Sequence, residues 1–247
     1  MKKIVYVSPK GVRVDLTPDE GNEVFLKREG VEGLVGSSEF STFTVPGVPG
    51  VLVGDETVSP ISGSLTLYYP TEDKARAFLA LWSTSKPGEL EVTTRGGEVL
   101  SLPVRLSEYP ELPADNSDTD GELTISVAAD GGLWLGPVQT GTGKVTITNT
   151  GDAPVFPSIL WKEASPVAMN TVLKTELPKV SSKRRVFLDP LESLVVKTAR
   201  GGTDYATWDK VRALPLIFGV PKGGAGTIEV GGDAVVEYRL AYLNPRR

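Results

Sequence analysis

Residues 65–88, LTLYYPTEDKARAFLALWSTSKPG, place a strand pattern next to a helix pattern. The segment Leu65–Tyr68 alternates apolar and polar residues, as a strand with one buried face does. Thr71 is a helix-capping residue type, and the acidic pair Glu72-Asp73 follows it where the helix dipole favours negative charge. The segment Lys86-Pro87-Gly88 then ends the pattern. This stretch predicts a strand followed by one α-helix over about residues 71–85, whose apolar face consists of Ala75, Phe78, Leu79 and Trp82.

The alternating pattern recurs along the rest of the chain, and glycine-rich turns separate its copies. Short strands with frequent glycine turns are typical of a β-sandwich or barrel. We therefore expect a mainly β protein, with a second, weaker helical turn near residues 204–208. The further predicted strands are Met1–Val7, Val12–Leu16, Leu90–Thr93, Leu123–Val127, Lys144–Thr148, Thr227–Val230 and Val235–Leu240.

The composition excludes several classes of catalytic site. The 247 residues include no cysteine and no histidine. Disulfides, cysteine-bearing zinc sites and the Ser-His-Asp triad are therefore excluded. Paired carboxylates such as Glu89 with Glu91, or Asp118 with Asp120, leave a glycoside hydrolase as a third-ranked alternative. Because 31 acidic residues produce such pairs by chance, we expect no enzyme activity, no metal site and no cofactor.

Other local patterns have structural interpretations. No run approaches the roughly 20 apolar residues of a membrane span. Two glycine-rich segments, Thr140–Val145 and Gly219–Gly226, lead into strands and not into helices, so we expect turns and not phosphate loops. The cluster Lys183-Arg184-Arg185 lies in a protein of net charge −5. We expect it to be a solvated loop, or to contact an acidic protein surface, and expect no nucleic-acid partner.

Charge divides the chain into two parts. Residues 1–133 contain 21 acidic and 11 basic residues, a net charge of −10, whereas residues 134–247 contain 10 acidic and 15 basic residues, a net charge of +5. Between them, Gly131-Gly132 precedes the bulky Trp134 and the rigid Pro137. We therefore predict two domains, residues 1–132 and 133–247. The acidic segment Glu111–Asp120 is expected to be an exposed loop in the first.

Residues 37–60 form an unusual segment. Pro46-Gly47 and Pro49-Gly50 interrupt it, and apolar residues continue on either side, so it cannot be a central strand throughout. Two interpretations stay open: a projecting arm whose apolar side is buried by a neighbouring molecule, or a wide loop over its own domain. The first makes a subunit-interface arm of Phe40, Phe43, Val45, Val48 and Val51.

Three tryptophans lie in the second half, Trp134, Trp161 and Trp208. We expect two of the three to be core residues, without specifying which. Trp161 and Trp208 are the candidate exposed aromatics. An exposed tryptophan would suit sugar stacking or a protein contact.

In its order of motifs the whole chain resembles the distal tail protein of long-tailed phages with non-contractile tails. Each motif is a common turn or strand by itself, and their succession carries the resemblance. The motifs are Val45–Val51, the strand Leu65–Tyr69 with the helix after Thr71, Leu102–Leu106, Leu123–Val127, Leu133–Gly136, Ile147–Pro157, Val186–Pro190, Gly226–Val230 and Val236–Tyr242.

The resemblance implies two β-sandwich domains. The N-terminal one, with its helix and arm, would build a ring, typically a hexamer, and the C-terminal one would be galectin-like. The ring would join the tail tube protein to the tail-tip protein, and could carry a receptor-binding protein or meet a cell-surface glycan. The protein would be assembled in the host cytoplasm and reside in the virion at the phage tail tip.

A carbohydrate-binding module acting in host-surface recognition is the alternative function. Sugar sites of galectin type depend on histidine, asparagine and arginine together, and this chain has no histidine. Similarity of fold does not by itself transfer a function.

Overall fold

A computed structural model describes residues 3–18, 23–47, 49–111, 119–170 and 172–246, in two compact units. Unit 1 is Met1–Gly136 with Tyr242–Arg247, and unit 2 is Pro137–Ala241. The sequence-based boundary lay before Trp134 and gave the last residues to the second domain. Trp134 belongs with unit 1 because its indole is buried in that core and donates a hydrogen bond of 2.9 Å to the Leu34 carbonyl.

Unit 1 contains one connected path of seven antiparallel strands, in the order β2-β1-β7-β8-β9-β6-β3. Strand β8 joins two parts of this path, because its residues 99–104 pair with β7 and its last two residues pair with β9. The strands of unit 1 are β1 (Lys3–Val7), β2 (Arg13–Asp15), β3 (Phe25–Glu32), β4 (Ser37–Phe43), β5 (Leu52–Ser59), β6 (Ile61–Tyr69), β7 (Gly88–Thr93), β8 (Val99–Leu106), β9 (Gly121–Ala129) and β10 (Trp134–Leu135).

Helix α1 (Glu72–Leu79) follows β6 and covers the core of unit 1. The predicted apolar face is buried, and the ring of Trp82, just after the helix, stacks on Tyr6 at a centroid distance of 3.7 Å. Such a stack adds to the free energy gained from burying the two rings.

The helix is shorter than the predicted range 71–85. After Ala80 the chain turns, and the hydroxyl oxygen of Ser83 accepts hydrogen bonds from the backbone N–H groups of Ser85 and Lys86. Local serine hydrogen bonds of this kind compete with the helical ladder. Thr71 is the N-cap residue, but its carbonyl and not its side chain accepts the hydrogen bonds from the first turn.

Unit 2 is a β-sandwich. One sheet has the order β11-β19-β13-β16-β17 and the other the order β12-β18-β14-β15, and side chains of both sheets share one buried core. A helix, α2 (Tyr205–Val211), and a short 3-10 turn (Pro190–Glu192) connect its strands. The remaining strands are β11 (Gln139–Gly141), β12 (Gly143–Thr148), β13 (Ser158–Trp161), β14 (Ser165–Met169), β15 (Leu173–Leu177), β16 (Arg184–Phe187), β17 (Val196–Thr198), β18 (Ala225–Val230), β19 (Val235–Tyr238) and β20 (Ala241–Tyr242).

The mainly β prediction is confirmed. Each predicted strand coincides with an observed one, and α2 forms where the weaker helical turn was expected. Helix α2 begins there because Asp204 caps it, accepting a hydrogen bond from the Thr207 backbone N–H. Among the described residues, neither helix has the length and apolar character needed to cross a membrane.

Candidate functional site

Strands β4 and β5 form a hairpin that stands apart from the main sheet of unit 1. Within the described part of the chain they pair with each other and with no other strand. The register runs from Ser37 opposite Ser59 to Phe43 opposite Leu52, with an irregularity between Phe40 and Thr42. An isolated two-stranded hairpin is marginally stable in water without packing partners.

The hairpin exposes a large amount of apolar side-chain surface. Its predicted arm residues are more than two-fifths exposed, at 53% for Phe40, 59% for Phe43, 42% for Val45 and 56% for Val51. Val48, the fifth predicted arm residue, lies outside the described residues. The structure adds Leu52 and Val53, which are equally exposed. Contiguous exposed apolar surface of this kind marks interaction sites.

Apolar residues occupy both faces of the hairpin. Phe43 lies opposite Leu52, and the neighbouring pair, Thr42 with Val53, faces the other side because side chains alternate along a strand. One face therefore presents the Phe43 ring beside Leu52, and the other face presents Val53.

The hairpin is also acidic. Residues 37–59 contain Glu39, Asp55 and Glu56 and no lysine or arginine. A surface complementary to it would combine apolar side chains with basic ones.

Two glycine residues allow the base of the hairpin to pack closely against the rest of unit 1. The backbone N–H of Gly36 donates a hydrogen bond of 2.7 Å to the Leu243 carbonyl, and a Cβ on Gly36 would lie 2.5 Å from the Gly132 carbonyl oxygen. Gly132 itself has φ +67° and lies against the backbone of Ser59 at the end of β5. In the sequence, Gly132 is recognisable only as part of the flexible glycine pair before Trp134, because a contact between residues so far apart in sequence leaves no local pattern.

As expected, two of the three tryptophans are core residues. Trp134 and Trp161 are buried, and Trp208 is half-buried. The candidate Trp161 is therefore wrong as an exposed aromatic. It shares the inward face of β13 with Ile159, and its indole N–H donates to the Pro178 carbonyl at 2.8 Å. The Trp208 indole donates to the Ser193 carbonyl at 2.9 Å, with the Arg212 guanidinium 5.5 Å from its ring.

The basic cluster is a solvated loop only at Lys183, which is exposed and precedes β16, so the expectation is wrong for the two arginines. Arg184 and Arg185 belong to β16, and each reaches a distant carboxylate at 2.6 Å, Asp204 and Glu237 respectively. The Arg184 guanidinium holds the pKa of the Asp204 carboxyl below its usual range. Because adjacent residues on a strand point to opposite faces, the two neighbouring arginines have different partners.

The remaining catalytic and ligand-binding candidates gain no support. Glu91 forms an ion pair with Arg13, while Glu89 is exposed. Residues 112–118 of the predicted loop Glu111–Asp120, which include Asp118, lie outside the described residues. The described ranges contain no group of three acidic residues placed to hold a metal ion. Segment 140–145 contains the end of β11, the connection at Thr142 and the start of β12, and segment 219–226 leads into β18.

The fold is shared with solved phage proteins over nearly the whole chain. The SPP1 Dit (gp 19.1) protein, described as a paradigm of the hub adsorption apparatus in phages infecting Gram-positive bacteria, matches with a TM-score of 0.59 and 15% identity. That match covers 97% of this chain and 98% of the other. A chain of the phage p2 baseplate in its activated conformation with Ca matches with a TM-score of 0.56 and 11% identity, over 96% and 97%.

The same baseplate with Sr gives a TM-score of 0.55 at 11% identity. No protein-family model and no curated protein matches this sequence. The chain therefore has the fold of the SPP1 Dit protein and of a p2 baseplate chain, across both of its units.

Proposed function

We propose that this protein is a structural component of a phage tail tip, a distal tail protein that forms the hub between the tail tube and the host-adhesion apparatus. The observation that carries the proposal is the agreement in fold with the SPP1 Dit protein over 97% of this chain, which includes both units. Agreement over one sandwich alone would be compatible with many functions. The resemblance of the sequence motifs to the distal tail family supports the same role.

The hairpin of residues 37–59 is the proposed contact between subunits. Its apolar side chains are exposed in the single chain on both faces, and a neighbouring copy would cover them. In a closed ring each contact joins two different surface patches, so the hairpin of one copy would meet another part of the next. The proposed assembly is a hexamer.

Charge supports different partners for the two units. Unit 1 contains 21 acidic and 13 basic residues, and unit 2 contains 10 acidic and 13 basic residues, so their net charges are −8 and +3. Oppositely charged surfaces favour different partners. We assign the tail tube and tail-tip proteins to the ring built by unit 1. The galectin-like second domain would carry a receptor-binding protein, with the virion tail tip as the location.

The alternative function, a carbohydrate-binding module, has less support. It needs an exposed aromatic face for a sugar ring, whereas Trp161 is buried and Arg212 lies beside the Trp208 ring. An enzymatic function has no constellation of residues in its favour among those described.

The native mass of the purified chain tests the proposal. One subunit has a mass of 26.3 kDa, so a hexamer has a mass of about 158 kDa. In the matched variant, residues 38–58 are replaced by Asn-Gly, because Ser37 and Ser59 face each other in the register and a two-residue turn closes such a pair. We expect a hexamer for the native chain and a folded monomer for the variant. A monomeric native chain, or a variant ring of unchanged stoichiometry, would overturn the proposed assembly.

A further inference from the structure

Unit 2 contains a small recess lined by basic residues, whereas the hairpin belongs to unit 1. Its volume is about 260 Å³. The residues come from β16, β17 and the segments beside them, and Leu160 adds an apolar wall. The lining includes Lys183, Arg184, Arg185, Phe187, Lys197 and Thr198. This volume is small for a ligand pocket and suits a molecule of about the size of one sugar.

The charges in the recess are only partly neutralised. Arg184 pairs with Asp204, and Arg185 pairs with Glu237. The ammonium groups of Lys183 and Lys197 form no ion pair within 4.0 Å with the described residues. Two cationic groups in the lining of the recess therefore have no ion-pair partner among the described residues.

One carboxylate outside the lining of the recess affects the positive charge of the recess. Asp233 interacts electrostatically with Lys183. Its oxygen already accepts backbone hydrogen bonds from Lys162 and Glu163, at 3.2 and 2.9 Å. Asp233 is thus held by the backbone and offsets part of the Lys183 charge without forming an ion pair with it within 4.0 Å.

Arg185 also has an unused donor. Its Nε atom is buried and has no hydrogen-bond partner among the described atoms, although another nitrogen of the same guanidinium bonds Glu237 at 2.6 Å. A buried unsatisfied donor is costly, and an acceptor would remove that cost only if the Arg185 side chain moved so that Nε reached it. Guanidinium and ammonium groups together suit the oxygens of a phosphate.

We propose that this recess binds a phosphate ester carried on a compact organic framework. A phosphate monoester carries a charge of about −2 at pH 7, which matches the two unpaired ammonium groups, whereas a carboxylate carries only one negative charge. Phe187 and Leu160 supply apolar contact for the framework. The Lys197 ammonium lies 5.8 Å from the Phe187 ring centroid, so cation and apolar wall are adjacent. An acidic protein surface would dock less well in so small a concavity.

Calorimetric titration of the full chain with glucose 6-phosphate at low ionic strength tests the proposal. We expect saturable binding that the K183Q/K197Q variant weakens by about tenfold or more, because two charge-assisted contacts are lost. The matched control K174Q removes an exposed charge on β15, outside the recess, and should bind as the native chain does. Binding should also weaken below about pH 6, where the phosphate loses one charge.

Further ligands identify what the recess recognises. Inorganic phosphate should bind more weakly than the ester, since it lacks the framework, and glucose should not bind. The proposal is overturned if glucose 6-phosphate fails to bind, if K183Q/K197Q binds it normally, or if glucuronate binds equally well. Binding of a polyaspartate peptide in place of the ester would overturn it in favour of a protein contact. Because both lysines lie outside the hairpin, the native mass of K183Q/K197Q should equal that of the unmodified chain, which separates this test from that of the ring.

Discussion

Substitution of the two aromatic residues of the hairpin should break the assembly without unfolding the chain. Phe40 and Phe43 are 53% and 59% exposed in the single chain, so the protomer gains little from their burial. A phenylalanine side chain buries about 200 Å² when covered. About 110 Å² of each ring is therefore left for a partner, and burial of both rings is worth about 5 kcal/mol at about 25 cal/mol per Å².

The F40S/F43S variant should accordingly raise the dissociation constant of each subunit contact by about three to four orders of magnitude, since about 1.4 kcal/mol corresponds to a factor of ten. Sedimentation velocity over a concentration series measures this shift. The matched control is L191S, because Leu191 is 92% exposed in unit 2 and removing it subtracts a similar apolar side chain elsewhere. Circular dichroism should show unchanged folds for both variants. Dissociation of F40S/F43S at the same concentration as the native chain would refute the assignment of the hairpin.

Three further outcomes follow from the interactions around Gly132 and Asp204. Gly132→Ala should lower the free energy of unfolding of unit 1 by about 2 kcal/mol in urea titrations, because the residue has φ +67° and its new Cβ would overlap the Ser59 carbonyl. Asp204→Ala should cost unit 2 about 3 kcal/mol, through the lost helix cap and the lost hydrogen bond to Arg184, whereas Asp204→Asn should cost less because asparagine also caps helices. Because the pKa of the folded Asp204 is lowered, the stability it contributes is present above its unfolded pKa of about 3.9 and is lost as pH falls through the lower folded value. Urea titrations of the native chain and Asp204→Asn should therefore differ at pH 7 and converge in strong acid.

Local patterns in the sequence located eight of the strands and both helices of the described structure. The strands could be recognised because each has one buried face, so that apolar and polar residues alternate along it. The end of α1 could not be read in the same way. After Ala80, the Ser83 hydroxyl accepts backbone hydrogen bonds that compete with the helical ones. The helix therefore ends before the proline that was expected to end it.

Features that depend on distant residues were not predictable. In β13 the consecutive apolar residues Ile159, Leu160 and Trp161 conceal which face is buried, so Trp161 could be named only as one of two candidate exposed aromatics. The exposure of Phe40 and Phe43 also depended on which of the two open interpretations of residues 37–60 was correct. The partners of Arg184 and Arg185 lie 20 and 52 residues further along the chain. Such pairs leave no periodic signal in the sequence.

The division of unit 1 into two sequence segments affects the order of events during synthesis. The hairpin base needs Leu243, whose carbonyl accepts the hydrogen bond from Gly36, and this residue is made after all of unit 2. A domain folds as a unit, and unit 2 contains none of the residues that follow Ala241, so its sandwich can fold whether or not the last segment of unit 1 is in place. Loss of the residues that follow Ala241 would consequently damage the earlier half of the protein and spare the later one, and the hairpin would acquire its fixed base only on completed chains.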